Sequence, residues 1–147
     1  MIVPRNTAHT RQHRRKGQSL IASHRINPEE WQISNAEAKD ALNAQGCKVK
    51  EIKKIRCLKH QVCISYWDEK GGVCSGFFSY RIFRQWQAEV ERLVNTCQTL
   101  KEWVLLNHIM KYEFAYYPYL TDMKNLLSNA LKNRLYALEA SVLLQAV

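Results

Sequence analysis

The segment QVCISYWDEKGGVCSGFFSY, residues 61–80, decides the fold of this chain. Its two halves, residues 61–67 and 73–80, are rich in the β-branched and aromatic side chains that strands favour. Between them, Asp68 to Gly72 form a loop of hairpin length, with two glycines for backbone positions that need a positive φ. The pattern therefore predicts an antiparallel hairpin.

A third strand is predicted just before the hairpin. After Gly46 the chain takes a period of two, and alternate residues of a strand point to opposite faces of its sheet. One predicted face carries Val49, Glu51, Lys53, Ile55 and Cys57, and the other carries Lys48, Lys50, Ile52, Lys54 and Arg56. The second face is basic.

A short helix is predicted ahead of this strand. Ser34 and Glu37 have the spacing of a capping box, in which each side chain binds a free backbone N–H of the first helical turn. Gly46 suits the position just after a helix end. These signals predict a helix over residues 35–45.

Three helices are predicted after the hairpin, because apolar residues there recur at spacings of three and four. The first begins near Arg81, the second runs from a capping box at Thr99 to about Tyr112, and the third covers residues 121–145. Helices gathered after a run of strands are typical of the α+β class. We expect an N-terminal basic arm, one short helix, a three-stranded antiparallel sheet, and three C-terminal helices packed on one sheet face.

The charge is concentrated in the first part of the chain. The 147 residues carry a net charge of +9, and residues 1–25 hold six cations and no acid. Asn27-Pro28-Glu29-Glu30 has the composition of a helix start. We therefore predict a basic flexible arm over residues 1–26 and a single globular domain over residues 27–147.

This distribution of charge indicates a polyanionic partner. Arginine, which outnumbers lysine five to one in the arm, pairs well with phosphate through its planar fork. The candidate nucleic-acid-binding residues are those of the arm and of the basic strand face: Arg5, Arg11, Arg14, Arg15, Lys16, Arg25, Lys48, Lys50, Lys54 and Arg56. An ordinary solvated tail is the alternative for the arm.

Two aromatic segments offer further contacts. Residues 76–81 have a weak similarity to the aromatic strand on which some RNA-binding sheets stack bases. Phe78 and Tyr80 share one face and Phe77 lies on the other, so only the exposed set could stack a base. A partner-binding patch is possible around a helix break at Tyr112, Phe114, Tyr116, Tyr117 and Tyr119, although a loop folded over the core is the simpler interpretation.

Metal binding and catalysis find little support in the sequence. Cys57, His60, Cys63 and Cys74 are ligand types for zinc, but they lack the tight paired spacing of zinc sites. No histidine and acid accompany a nucleophile at a recognisable spacing. We expect no metal, no cofactor and no enzymatic activity.

The predicted function is that of a small basic accessory protein that binds the phosphate backbone of DNA or RNA without strong sequence specificity. The alternative is a protein-binding adaptor, or a small subunit of a larger assembly, whose arm lies along an acidic partner surface. The odd number of cysteines and the lack of a hydrophobic leader favour a cytoplasmic location, and no apolar run is long enough to span a membrane.

Overall fold

The hairpin supplies the central strand and one edge strand of a three-stranded antiparallel sheet. The computed structural model describes residues 18–145. The strands are β1 (Val49–Cys57), β2 (Gln61–Asp68) and β3 (Val73–Ser79), in that order across the sheet. The helices are α1 (Asn35–Ala44), α2 (Arg84–Asn95), α3 (Leu100–Tyr116) and α4 (Thr121–Gln145), and Pro28–Glu30 and Tyr80–Ile82 form 3-10 turns. The predicted α+β fold, with helices after the sheet, is confirmed.

Asp68 builds the turn between β2 and β3. Its Oδ1 accepts hydrogen bonds from the backbone N–H groups of Lys70, at 2.9 Å, and Gly72, at 2.8 Å. Gly71 has φ +85°, a conformation that costs little only for glycine. These bonds hold the pKa of the Asp68 carboxyl below its ordinary value. The turn is therefore specified by local chemistry that the sequence displays.

The predicted alternation in β1 is wrong, because two register shifts interrupt its pairing with β2. They fall between Val49 and Glu51 and between Ile52 and Lys54, and each sets two residues of β1 opposite one of β2. The residues of β1 that face the core are therefore Val49, Ile52, Ile55 and Cys57. The spacing of three moves Ile52 away from the basic face and leaves Lys53 exposed.

The core lies on one face of the sheet, beneath the helices. Val62 and Ile64 of β2 are fully buried and belong to the same apolar cluster as Trp86, Val90 and Leu127 of the helices. The opposite face of the sheet has no helix on it within the described residues and is open to solvent.

The helix boundaries follow their caps, with one correction. Ser34 and Thr99 accept hydrogen bonds from the third helical residue of α1 and α3, as predicted. Helix α3, however, continues to Tyr116 rather than ending near Tyr112. Pro118 restricts only the residue directly before it, and Tyr117 is extended, so the helix needs to end no earlier.

The packed part of the chain starts before the predicted domain boundary at residue 26. Leu20, Ile21 and Ile26 are all buried in the core. The backbone N–H of Leu20 also donates to Glu113 Oε2 at 2.9 Å. Residues 19–26 therefore pack with the domain, because they contribute apolar side chains to its core. The cations around these residues hide that apolar pattern in the sequence.

Candidate nucleic-acid interface

The open face of the sheet carries three rows of side chains that run across the strands. The pairing aligns Arg56, Cys63 and Phe77 in the first row. Lys54, Ser65 and Ser75 form the second row, with the bulge residue Lys53 beside Lys54. Glu51, Trp67 and Val73 form the third row, beside the bulge residue Lys50. We call this surface the open sheet face.

The aromatic side chains on the open sheet face are Phe77 and Trp67. Phe77 is 62% exposed and Trp67 is 37% exposed. Phe78 pairs with Val62 on the core side, and Tyr80 is fully buried. The sequence predicted that either Phe77 or the pair of Phe78 and Tyr80 would be exposed, and the exposed residue is Phe77.

The cations of the open sheet face come from β1. Lys54 and Arg56 lie on it as predicted, and the second bulge adds Lys53, whose Nζ lies 5.3 Å from the centre of the Trp67 ring. Lys50, near the start of the same strand, and Lys48, directly before it, are exposed as well. Within β1 the only acid is Glu51, so the strand has an excess of positive charge.

The other predicted phosphate-binding residues belong to the N-terminal segment of the chain. Arg5, Arg11, Arg14, Arg15 and Lys16 lie outside the described residues. Arg25 is exposed and lines a small cleft with Thr96, Cys97 and Glu102 at the connection between α2 and α3. The structure therefore does not bring Arg25 together with the cations of β1.

The predicted aromatic patch around residues 112–119 contributes to a buried charge network. Arg81 is 2% exposed and Glu113 is fully buried. Arg81 Nε donates to Glu113 Oε1 and its Nη2 donates to Oε2, both at 2.7 Å. Tyr119 donates to Glu113 Oε1 at 2.6 Å and accepts from Trp86 Nε1 at 3.0 Å. Tyr117 lies on the Arg81 guanidinium, 3.7 Å from ring centre to Cζ.

The remaining members of the patch pack around this network. Tyr112 lies 4.7 Å from Tyr116 and 6.3 Å from Tyr117, measured between ring centres. Phe114 meets Tyr119 edge to face at 5.0 Å. All five side chains are partly buried, and the segment folds over the core.

Burial and charge set the protonation of the network. Burial lowers the pKa of Arg81, but hydrogen bonds and attraction from Glu113 outweigh it, so the pKa lies above its ordinary value. Burial, followed by the nearby Glu113 carboxylate, raises the pKa of Tyr119. Arg81 is therefore a cation and Tyr119 a neutral hydrogen-bond donor at physiological pH. Each charge of the ion pair therefore has its partner inside the core.

The four candidate zinc ligands are not gathered on one face of the sheet, and His60 lies in the connection between β1 and β2. Cys63 is on the open sheet face, whereas Cys57 and Cys74 are on the core side of β1 and β3. Cys57 Sγ lies 3.6 Å from the carbonyl oxygen of Trp31, and Cys74 Sγ lies 3.7 Å from Asp68 Oδ2. Across residues 18–145, no three histidine, cysteine or acidic side chains are placed to hold a metal ion.

A cleft on the helical side has the wrong charge for phosphate. It has a volume of about 410 Å³ and is lined by parts of α1, α2 and α4. Three carboxylates, Glu37, Asp40 and Asp122, line it together with one cation, Arg84. An anionic ligand therefore fits the open sheet face better than this cleft.

Comparisons with protein-family models, with curated proteins and with solved structures found no match to this chain. Between residues 18 and 145, none of the helices combines the length and the apolar composition needed to cross a bilayer.

Proposed function

We propose that this protein is a non-enzymatic accessory protein that binds the phosphate backbone of nucleic acid without strong sequence specificity. The observation that carries the proposal is the grouping of Lys53, Lys54 and Arg56 on an exposed sheet face that none of the described helices covers. Ion pairs with phosphates release counterions, which gives binding that weakens as salt rises. The cations of residues 1–16 would add to the same attraction.

Weak sequence specificity follows from where the cations lie. Reading of base edges needs several polar side chains at fixed spacing on an element that fits a groove. The cations of β1 instead lie along one edge strand of a sheet. We expect random and selected sequences of equal length to differ by less than about tenfold in affinity, far below the ratios of sequence-specific proteins.

A salt titration of binding tests the proposal. Fluorescence anisotropy with duplex DNA, duplex RNA and single strands, repeated at several salt concentrations, gives the slope of log K against log[salt]. The variant K53Q/K54Q/R56Q should reduce the slope by roughly two to three, because each lost phosphate contact removes about 0.7 to 0.9. Its affinity should fall most at low salt.

The matched control removes the same charge elsewhere. K101Q/K111Q/K132Q changes three exposed lysines on α3 and α4 and leaves the open sheet face intact. It should keep nearly the full slope. An equal loss in both triple variants, or a salt-independent affinity, would contradict the proposal. Binding of neither nucleic acid would favour the adaptor with an acidic protein partner.

A further inference from the structure

The open sheet face combines cations with exposed aromatic rings. A surface of this kind can bind a single strand differently from a duplex. In a duplex the faces of the bases are covered by their neighbours, so a protein reaches phosphates and groove edges. In a single strand the bases can turn out and stack on aromatic side chains, while cations track the backbone. Phe77 is 62% exposed on β3, and the cations of the same sheet face lie on β1, on the other side of β2.

We infer, resting on the proposed function, that the ligand is single-stranded nucleic acid, with bases stacked on Phe77 and Trp67 and phosphates bound by Arg56, Lys53 and Lys54. The first row gives the geometry for one nucleotide. Arg56 and Phe77 lie on either side of Cys63, on strands separated by β2. Adjacent strands are about 4.8 Å apart, so these two backbones are roughly 10 Å apart. A long arginine side chain can therefore reach a phosphate whose base lies on Phe77.

The second aromatic residue lies too far away to take the next base. Phe77 pairs with Cys63, and Trp67 is four residues further along β2, which is about 13 Å at 3.3 Å per residue. Stacked neighbouring bases are only about 3.4 Å apart. The two rings therefore take bases that are separated by at least one nucleotide.

The row between the aromatics is shallow. Ser65 and Ser75 pair there, and both have short side chains. Their hydroxyl groups can donate to sugar or phosphate oxygens, and the small side chains leave room for the intervening nucleotide. Lys53 and Lys54 flank this row on β1.

Binding of a labelled oligothymidylate of about ten nucleotides, within the site size of a small stacking surface, tests the inference. Three probes are compared at one salt concentration: this strand, a duplex of equal length, and a strand of equal length whose central nucleotides lack bases. We expect the intact strand to bind more tightly than both. Removal of one stacking ring costs about fivefold to 150-fold in affinity, so F77A should weaken binding of the intact strand by a factor in that range.

The controls isolate stacking from charge and from folding. F77A should leave the salt slope and the duplex affinity unchanged, and F77W should restore strand binding. Tyr136, which is 57% exposed on α4, is an aromatic residue of similar exposure away from the sheet, so Y136A should bind like the parent protein. A smaller loss is expected for W67L, because Trp67 is less exposed than Phe77.

The outcomes distinguish the inference from the proposed function. If the intact strand, the duplex and the baseless strand bind equally, and F77A has no effect, the inference is wrong while phosphate binding stands. Preference for the duplex overturns the inference in the same way. If none of the three probes binds, the proposed function itself fails, and an acidic protein becomes the candidate partner for this face.

Discussion

Arg81 and Lys53 both lie against aromatic rings, but Arg81 is buried and neutralised whereas Lys53 is exposed. Arg81 lies between Trp86 and Tyr117, its guanidinium carbon 4.5 Å and 3.7 Å from the two ring centres, and Glu113 neutralises it inside the core. Lys53 lies over Trp67 on the open sheet face, among other cations of the same strand. A cation beside an aromatic ring is therefore part of the core where its charge is balanced, and it can attract an anion where it is not.

The buried network also ties together distant parts of the chain. Glu113 of α3 accepts four hydrogen bonds, from the backbone of Leu20, from Arg81 twice, and from Tyr119. These donors come from the N-terminal segment, the 3-10 turn after β3, and the connection between α3 and α4. The open sheet face, by contrast, is built within three consecutive strands.

The largest effect is expected for Glu113→Gln. The substitution keeps the shape of the side chain but leaves the buried Arg81 charge without a counterion, which typically costs about 3 to 5 kcal/mol of unfolding free energy. Urea denaturation followed by tryptophan fluorescence measures it. The exposed pair of Glu89 and Arg92 gives the matched control, since E89Q should cost less than about 1 kcal/mol.

The double variant R81M/E113L sharpens this result. Both E113L and the double variant leave the Leu20 N–H and the Tyr119 hydroxyl without this acceptor. Only E113L keeps an unpaired buried charge, so the double variant should be more stable than E113L alone. If Glu113→Gln and E89Q lost the same stability, the network would not differ from a surface ion pair, and the contrast with the open sheet face would disappear.

A smaller effect is expected from alkaline pH. The pKa of Tyr119 is raised in the folded protein, chiefly by burial. Above the ordinary tyrosine pKa of about 10, the unfolded chain therefore releases a proton that the folded protein keeps. The unfolding free energy should fall by about 1.4 kcal/mol per pH unit for this residue.

Comparison with Y119F isolates this contribution. Phenylalanine does not titrate, so urea denaturation between pH 9 and 11.5 should give a shallower decline for the variant, although the variant is less stable at neutral pH. Parallel declines for the two proteins would mean that Tyr119 ionises as easily in the folded state as in the unfolded state.

The features that the sequence predicts correctly are formed by residues that are close together in the chain. The hairpin at Asp68 and the cap at Thr99 are each made by groups within a few positions of one another, and both are confirmed. The pair of Arg81 and Glu113 is separated by 32 residues and has no local pattern. Only the tertiary fold brings these two charges together, so sequence reasoning missed the network.

The candidate site was predicted only in part. Lys54 and Arg56 lie on the face expected for them, but the alternation places Lys53 on the opposite face and gives Trp67 no role in the site. A strict period of two cannot anticipate a bulge. The signal that was available is the spacing of three between the apolar residues Val49, Ile52 and Ile55, which a strand can bury together only if an extra residue separates them.

The smallest effect should come from the open sheet face itself. The variant K53Q/K54Q/R56Q removes three cations from adjacent positions of one strand, and its glutamines can remain solvated. Loss of the contact between Lys53 and Trp67 removes about 0.5 to 1 kcal/mol, while relief of repulsion among like charges offsets part of this. We expect the unfolding free energy to stay within about 0.5 kcal/mol of the parent value, as is usual for surface substitutions.

Urea denaturation at low and at moderate salt measures both contributions, because repulsion between exposed charges is screened as salt rises. A loss of more than about 1.5 kcal/mol would mean that these side chains pack as structure. In that case the open sheet face would resemble the buried network, and a fall in nucleic-acid binding by the same variant could no longer be assigned to lost phosphate contacts.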